Sequence, residues 1–135
     1  DQRTAQHISM CIWTVPSDLI QNQSKRKGVN VMTEEVRHIY GIVDASGHAI
    51  TQVGYTVDKA VNTNGLYDIT FDQPFQFSPS VTATQLYPDE TDSTGGNTLD
   101  NAVLVYVRND RCRIKTGDSS GTATNRSFCF TAVGQ

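Results

Sequence analysis

Residues 65–87 read GLYDITFDQPFQFSPSVTATQLY, and they constrain the fold more tightly than any other stretch. Tyr67, Ile69 and Phe71 alternate with Asp68, Thr70 and Asp72. A period of two is that of a strand with one buried face and one wet face. Asn64-Gly65 immediately before it is a hairpin signal, because both residue types tolerate positive φ. Pro74 and Pro79 cannot donate to a ladder and therefore mark strand ends. Phe75 and Phe77 lie between the prolines as candidate caps for the end of a core, and ordinary packing accounts for such aromatics.

The same alternation recurs along the chain. Residues 38–45 read as a strand with Ile39, Val43 and Ala45 on one face, followed by a turn at Ser46-Gly47-His48. Residues 49–57 read as one strand with Val53, Tyr55 and Val57 on one face. Residues 111–116 alternate Cys112 and Ile114 inward with Arg113 and Lys115 outward. Residues 126–134 put Phe128, Phe130 and Ala132 on one face. Residues 102–107 (AVLVYV) are apolar on both faces, so the outer one calls for a cover, either the N-terminal segment or a neighbouring subunit. No helical period is sustained. These features predict an all-β chain: an antiparallel β-sandwich of about seven or eight strands.

With 135 residues the chain fits one domain with a real core. The sandwich is expected over residues 37–135. Residues 1–36 form an N-terminal arm or extra strand that packs on a neighbouring subunit. Within that arm, residues 8–15 (ISMCIWTV) are apolar on both faces, and Lys25-Arg26-Lys27 reads as a solvated basic turn. Residues 88–100 form a long polar loop containing Thr94-Gly95-Gly96-Asn97, and loops of this length in compact domains are often functional. Within it, Asp89-Glu90-Thr91-Asp92 lacks the spacing of a Ca²⁺ loop and reads as a solvated acidic turn. Asn22-Gln23-Ser24 and Asn125-Arg126-Ser127 match the glycosylation pattern.

A net charge of −3 gives no basic field for nucleic acid, and no apolar run approaches the ~20 residues of a membrane span. The chain begins at Asp1, which reads as a processed form or an excised fragment. The three cysteines lack CxxC spacing. Cys112 shares a face with Ile114, whereas Cys129 lies opposite Phe128 and Phe130. Packed small thiols are therefore expected ahead of a Cys112–Cys129 bridge. His7, His38 and His48 are not spaced as metal ligands, and no nucleophile-elbow, metalloprotease or phosphate-loop pattern occurs. The expectation is a non-enzymatic chain without a cofactor.

Charge is unevenly placed. Residues 101–135 carry five cations against two acids, while residues 86–100 carry four acids and no cation. Arg111, Arg113 and Lys115 alternate on one strand and so share a face. Such a row protects an edge strand from pairing or is simply solvated, and that is the favoured reading. The alternative is a contact for a sulfated or carboxylated glycan. Arg111, Arg113 and Lys115, with Arg108 and Tyr106, form the candidate ligand-binding set.

The succession Gly41-Ile42-Val43-Asp44, Gly54-Tyr55-Thr56-Val57, Gly65-Leu66-Tyr67-Asp68-Ile69-Thr70-Phe71-Asp72, Pro74-Phe75 and Pro79-Ser80-Val81-Thr82-Ala83-Thr84, closed by Phe128-Cys129-Phe130-Thr131-Ala132-Val133-Gly134, resembles a broad group. These are the C-terminal β-domains of phage tail-fibre and bacterial collagen-like surface proteins, and the resemblance covers about residues 40–135. Its second half also resembles the H-type lectin sandwich. The resemblance implies a trimer on a cell surface, outside the cell or on a virion, that works by binding. Two function classes follow: a receptor-binding or adhesin head that recognises a cell-surface glycan, and a trimerisation cap that registers a fibre without binding a small ligand. Neither implies nucleic acid or membrane insertion.

Overall fold

The computed structural model describes residues 35–87 and 94–135. Its eight strands are β1 (Arg37–Val43), β2 (Ala49–Val53), β3 (Tyr55–Lys59), β4 (Leu66–Phe71), β5 (Ser80–Gln85), β6 (Asn101–Val107), β7 (Arg111–Gly117) and β8 (Phe128–Gly134). They form two four-stranded antiparallel sheets, β2-β1-β8-β5 and β3-β4-β7-β6, which stack as a β-sandwich. Among the described residues there is no helix. The alternation in the sequence thus reports a real two-faced sheet.

The core lies where those inward residues meet. Tyr55, Tyr67, Ile69 and Phe71 from one sheet face Ile39, Val43, Phe128, Phe130 and Ala132 from the other, all buried. Edge-on ring pairs lock this layer: Tyr55 on Phe130 at 4.8 Å and Tyr67 on Phe128 at 4.9 Å. Both buried phenols also need a hydrogen-bond acceptor. Tyr55 Oη donates to the Thr51 carbonyl at 2.6 Å, and Tyr67 Oη donates to the Ala45 carbonyl at 2.9 Å. Each bond ties the second sheet to backbone on the β1–β2 side of the first.

One predicted strand is two. Residues 49–57 break at Gly54, whose φ of 78° is open to glycine at little cost. There the chain leaves the first sheet and enters the second. Val53 is consequently 37% exposed on an outer face, while Tyr55 is fully buried. Phe77 is a further correction: it is 65% exposed, and only Phe75 caps the core. Phe75 packs edge-on against Phe71 at 5.1 Å, and the Arg37 guanidinium covers it 4.3 Å from the ring centroid. Arg37 also donates to the carbonyls of Gln73 and Pro74, so the proline-flanked loop is pinned to β1.

Two connections use the same turn chemistry. In Asp44-Ala45-Ser46-Gly47-His48, Asp44 Oδ1 accepts from the Ser46 amide, the Ser46 hydroxyl and the His48 amide. In Asp118-Ser119-Ser120-Gly121-Thr122, Asp118 Oδ1 accepts from the Ser120 amide, the Ser120 hydroxyl and the Thr122 amide. The Ser hydroxyl bonds, then the amides, hold both carboxyls below the usual range. An Asp that satisfies three donors closes a tight loop without any tertiary partner.

The basic row lies on β7, and β7 sits between β4 and β6. The edge-protection reading is therefore overturned, because an interior strand has no free edge to guard. Val103, Leu104 and Val105 on β6 are exposed at 46, 36 and 50% among the described residues. Val103 pairs with the outward Lys115, and the register shifts between Leu104 and Tyr106. Residues 8–15, the Lys25-Arg26-Lys27 turn, Cys11, His7, the Asn22 site and the acidic turn at 89–92 lie outside the described residues.

Candidate functional site

The candidate residues meet on the outer face of the second sheet. Arg113 pairs with Asp68 directly across the β4–β7 ladder, and Tyr106 pairs with Arg113 across β6–β7. Register alone thus brings three polar side chains from three strands onto one face. Arg113 Nε donates to Asp68 Oδ1 at 2.6 Å and its terminal nitrogen to Oδ2 at 2.8 Å, a bidentate fork. Tyr106 Oη donates to the same Oδ1 at 3.3 Å. The Arg113 and Arg108 guanidinium carbons lie 5.5 and 5.6 Å from the Tyr106 ring centroid, within cation–π range.

The electrostatics follow from that geometry. The Arg113 hydrogen bonds hold the Asp68 carboxyl below its ordinary range, against opposing desolvation. Asp58 stands opposite Asp68 across β3–β4, so Arg113 also offsets a pair of like charges. Arg111 is forked onto its neighbour Asp110 at 2.9 and 2.8 Å. Of the three cations in the row, two are therefore already neutralised. Lys115 has no ion-pair partner among the described residues. It lines a shallow groove with Leu99, Val103 and Asp118. Asp68 and Asp110 are the participants that sequence reading left out. Asp68 was legible as an outward residue of its strand, but its pairing with a residue 45 positions away was not.

The opposite outer face is different in kind. Two cross-strand rows run over the first sheet: Val53, Tyr40, Thr131 and Thr82, then Thr51, Ile42, Cys129 and Thr84. All of these but Val53 line a shallow, mainly apolar depression of about 460 Å³. Cys129 lies on this face, whereas Cys112 is buried inside the sandwich; both are free thiols. Burial pushes the Cys112 thiol up to about 12, so it is a packed thiol rather than a thiolate nucleophile. Among the described residues no three His, Cys, Asp or Glu side chains converge as a metal site. No helix there is long and apolar enough to cross a membrane.

Comparison of the chain with models of protein families, with curated proteins and with solved structures returned no match.

Proposed function

We propose that this domain is a non-enzymatic receptor-binding or adhesin head, displayed at a cell or virion surface, that recognises a cell-surface glycan through the outer face of the second sheet. The observation that supports this reading is the ordered patch of Tyr106, Arg108, Arg113 and Asp68, with Lys115 on the same sheet. Groups already held in place lose little freedom on binding. Four cations (Arg108, Arg111, Arg113 and Lys115) against Asp58, Asp68 and Asp110 leave the patch with a net charge of +1, which favours a sulfated or carboxylated sugar. The test is titration of sulfated and neutral oligosaccharides at about 0.1 M and about 1 M salt, between which the screening length falls from about 10 Å to about 3 Å. Sulfated sugars are expected to bind with a steep salt dependence and to weaken in Lys115→Ala and Arg108→Ala. Unchanged affinity in both variants sinks the reading.

A specific observation supports the second class, a trimerisation cap without a small ligand. Tyr40, Val53, Val103, Leu104 and Val105 are exposed apolar residues on the two sheets. In either class the domain is a homotrimer in this proposal, and residues 102–107 contribute to its contacts. Sedimentation equilibrium at micromolar concentration checks this, and a monomer there refutes the trimer. A trimer that binds no sugar on a glycan array favours the cap.

A further inference from the structure

We propose that the loop end of the sandwich carries a pocket for a neutral, polyhydroxylated ligand of monosaccharide size, separate from the charged face of the second sheet. The depression there has a volume of about 310 Å³, and its lining includes Thr84, Tyr87, Asn97, Thr98, Asp100 and Arg126. That size is at the lower end of small-ligand pockets, which run from ~300 to ~1,000 Å³.

Its aromatic wall is built by the Gly95-Gly96 pair. A Cβ on Gly95 would fall 2.2 Å from Tyr87 Cε1, and one on Gly96 would already touch the same ring. The Tyr87 ring therefore lies against bare backbone, and only glycine at position 95 permits that approach. The residue remains 49% exposed. A tyrosine seated on one side and open on the other offers an apolar surface to a ligand.

Its polar corner is incomplete. Arg126 Nε is buried without a hydrogen-bond partner. Asp100 Oδ2 is 4.0 Å from the terminal nitrogen of Arg126, beyond hydrogen-bond reach. The Asp100 side chain is only 12% exposed. Buried donors are rarely left unpaired in native proteins. Among the described residues the corner thus holds a guanidinium and a carboxylate that attract each other without a direct hydrogen bond.

One chemical group satisfies both. A hydroxyl beside the Arg126 terminal nitrogen and Asp100 Oδ2 accepts from the guanidinium and donates its own proton to the carboxylate. An anion would satisfy Arg126 but would meet the Asp100 charge, and a cation would meet Arg126. Neutral hydroxyls therefore fit, and several of them fit better. Thr98 lies in the same lining. Asn97 Oδ1 accepts the Leu99 amide at 3.0 Å, which orients its amide group and leaves Nδ2 as a donor. Gln85 cannot swing in as a substitute ligand, because its Nε2 bridges the carbonyls of Asn101 and Gly117.

The test is amide-shift mapping on the full, isotope-labelled chain. The probes are the methyl glycosides of glucose, galactose, mannose and N-acetylglucosamine, with N-acetylneuraminic acid as the anionic comparison. At least one neutral glycoside is expected to give saturable shifts at Tyr87, Gly96, Asn97 and Asp100, unchanged between low and high salt. Tyr87→Ala, a surface change, should weaken that binding by about tenfold, the scale of one lost aromatic contact. Asp100→Asn should weaken it as well, with its thermal melt reporting whether the fold is intact. Lys115→Ala and Arg108→Ala should leave it unchanged, so this pocket and the charged face fail independently. No saturable shift with any neutral glycoside, shifts with the anionic sugar alone, or full affinity in Tyr87→Ala overturns the proposal.

Discussion

Asp68–Arg113–Tyr106 and Asp100–Arg126–Tyr87 use the same three residue types and end in opposite states. In the first, the guanidinium closes on the carboxylate at 2.6 and 2.8 Å and the tyrosine hydroxyl completes the set. In the second, guanidinium and carboxylate stand 4.0 Å apart, and a buried N–H has no partner. The difference comes from where the residues sit. Cross-strand neighbours in a ladder are held opposite each other by backbone bonds, so complementary side chains meet. Asp100 and Arg126 lie in the segments that lead into β6 and β8, where no ladder sets their distance. A closed network rigidifies a surface, and an open one leaves valences for a ligand.

The largest expected effect tests the register beneath this comparison. Phe71→Ala should unfold the protein, because Phe71 is 3% exposed and packs on Phe75. Truncating a buried Phe costs about 3–5 kcal/mol, a large share of the ~5–15 kcal/mol that stabilises a domain. Asp68→Ala should cost far less, as its ion pair is half-exposed. Thermal melts compare them directly. A more damaging Asp68→Ala would mean that the strand's faces are inverted.

Next in size is the contrast between the two carboxylates. Asp68→Asn keeps the shape but loses the fork, which at a half-exposed site costs about 1 kcal/mol. Asp100→Asn removes no side-chain hydrogen bond among the described residues, only the 4.0 Å attraction to Arg126, and should cost less than Asp68→Asn. Chemical denaturation of both variants measures this. Equal losses would erase the distinction between a closed and an open network.

Acid sharpens the same contrast. Asp68 is held below its ordinary value of 3.8 in the folded chain. A depressed carboxyl contributes stability that is fully present above the unfolded value and lost as pH falls through the folded one. Melting temperatures followed from neutral pH to below 3.8 should therefore drop less steeply in Asp68→Asn than in the parent. Parallel curves would mean that Arg113 contributes nothing through that carboxyl. The smallest effect is expected at Lys115, where Lys115→Ala should leave the melt within about 0.5 kcal/mol. A larger loss would show that Lys115 belongs to the closed network after all.

The sequence by itself determined the local, periodic part of this protein. Tyr67, Ile69 and Phe71 had to share a buried face, because successive side chains of a strand alternate whatever it pairs with. The hairpin at Asn64-Gly65, the strand ends at Pro74 and Pro79 and the all-β class follow from equally local rules. Other features depend on partners distant in the chain, and only the tertiary structure decided them. Val53 and Tyr55 are both apolar and two apart, yet the turn at Gly54 sends them to different sheets. Phe75 and Phe77 carry the same side chain, yet Arg37 and Asn109 hold only the first in the core. Arg111, Arg113 and Lys115 read as an edge row until β4 and β6 flank them and Asp68 and Asp110 take two of the three charges. Pairing across 45 residues is a property of the packed sheets, because periodicity sets a side chain's face but not its neighbour.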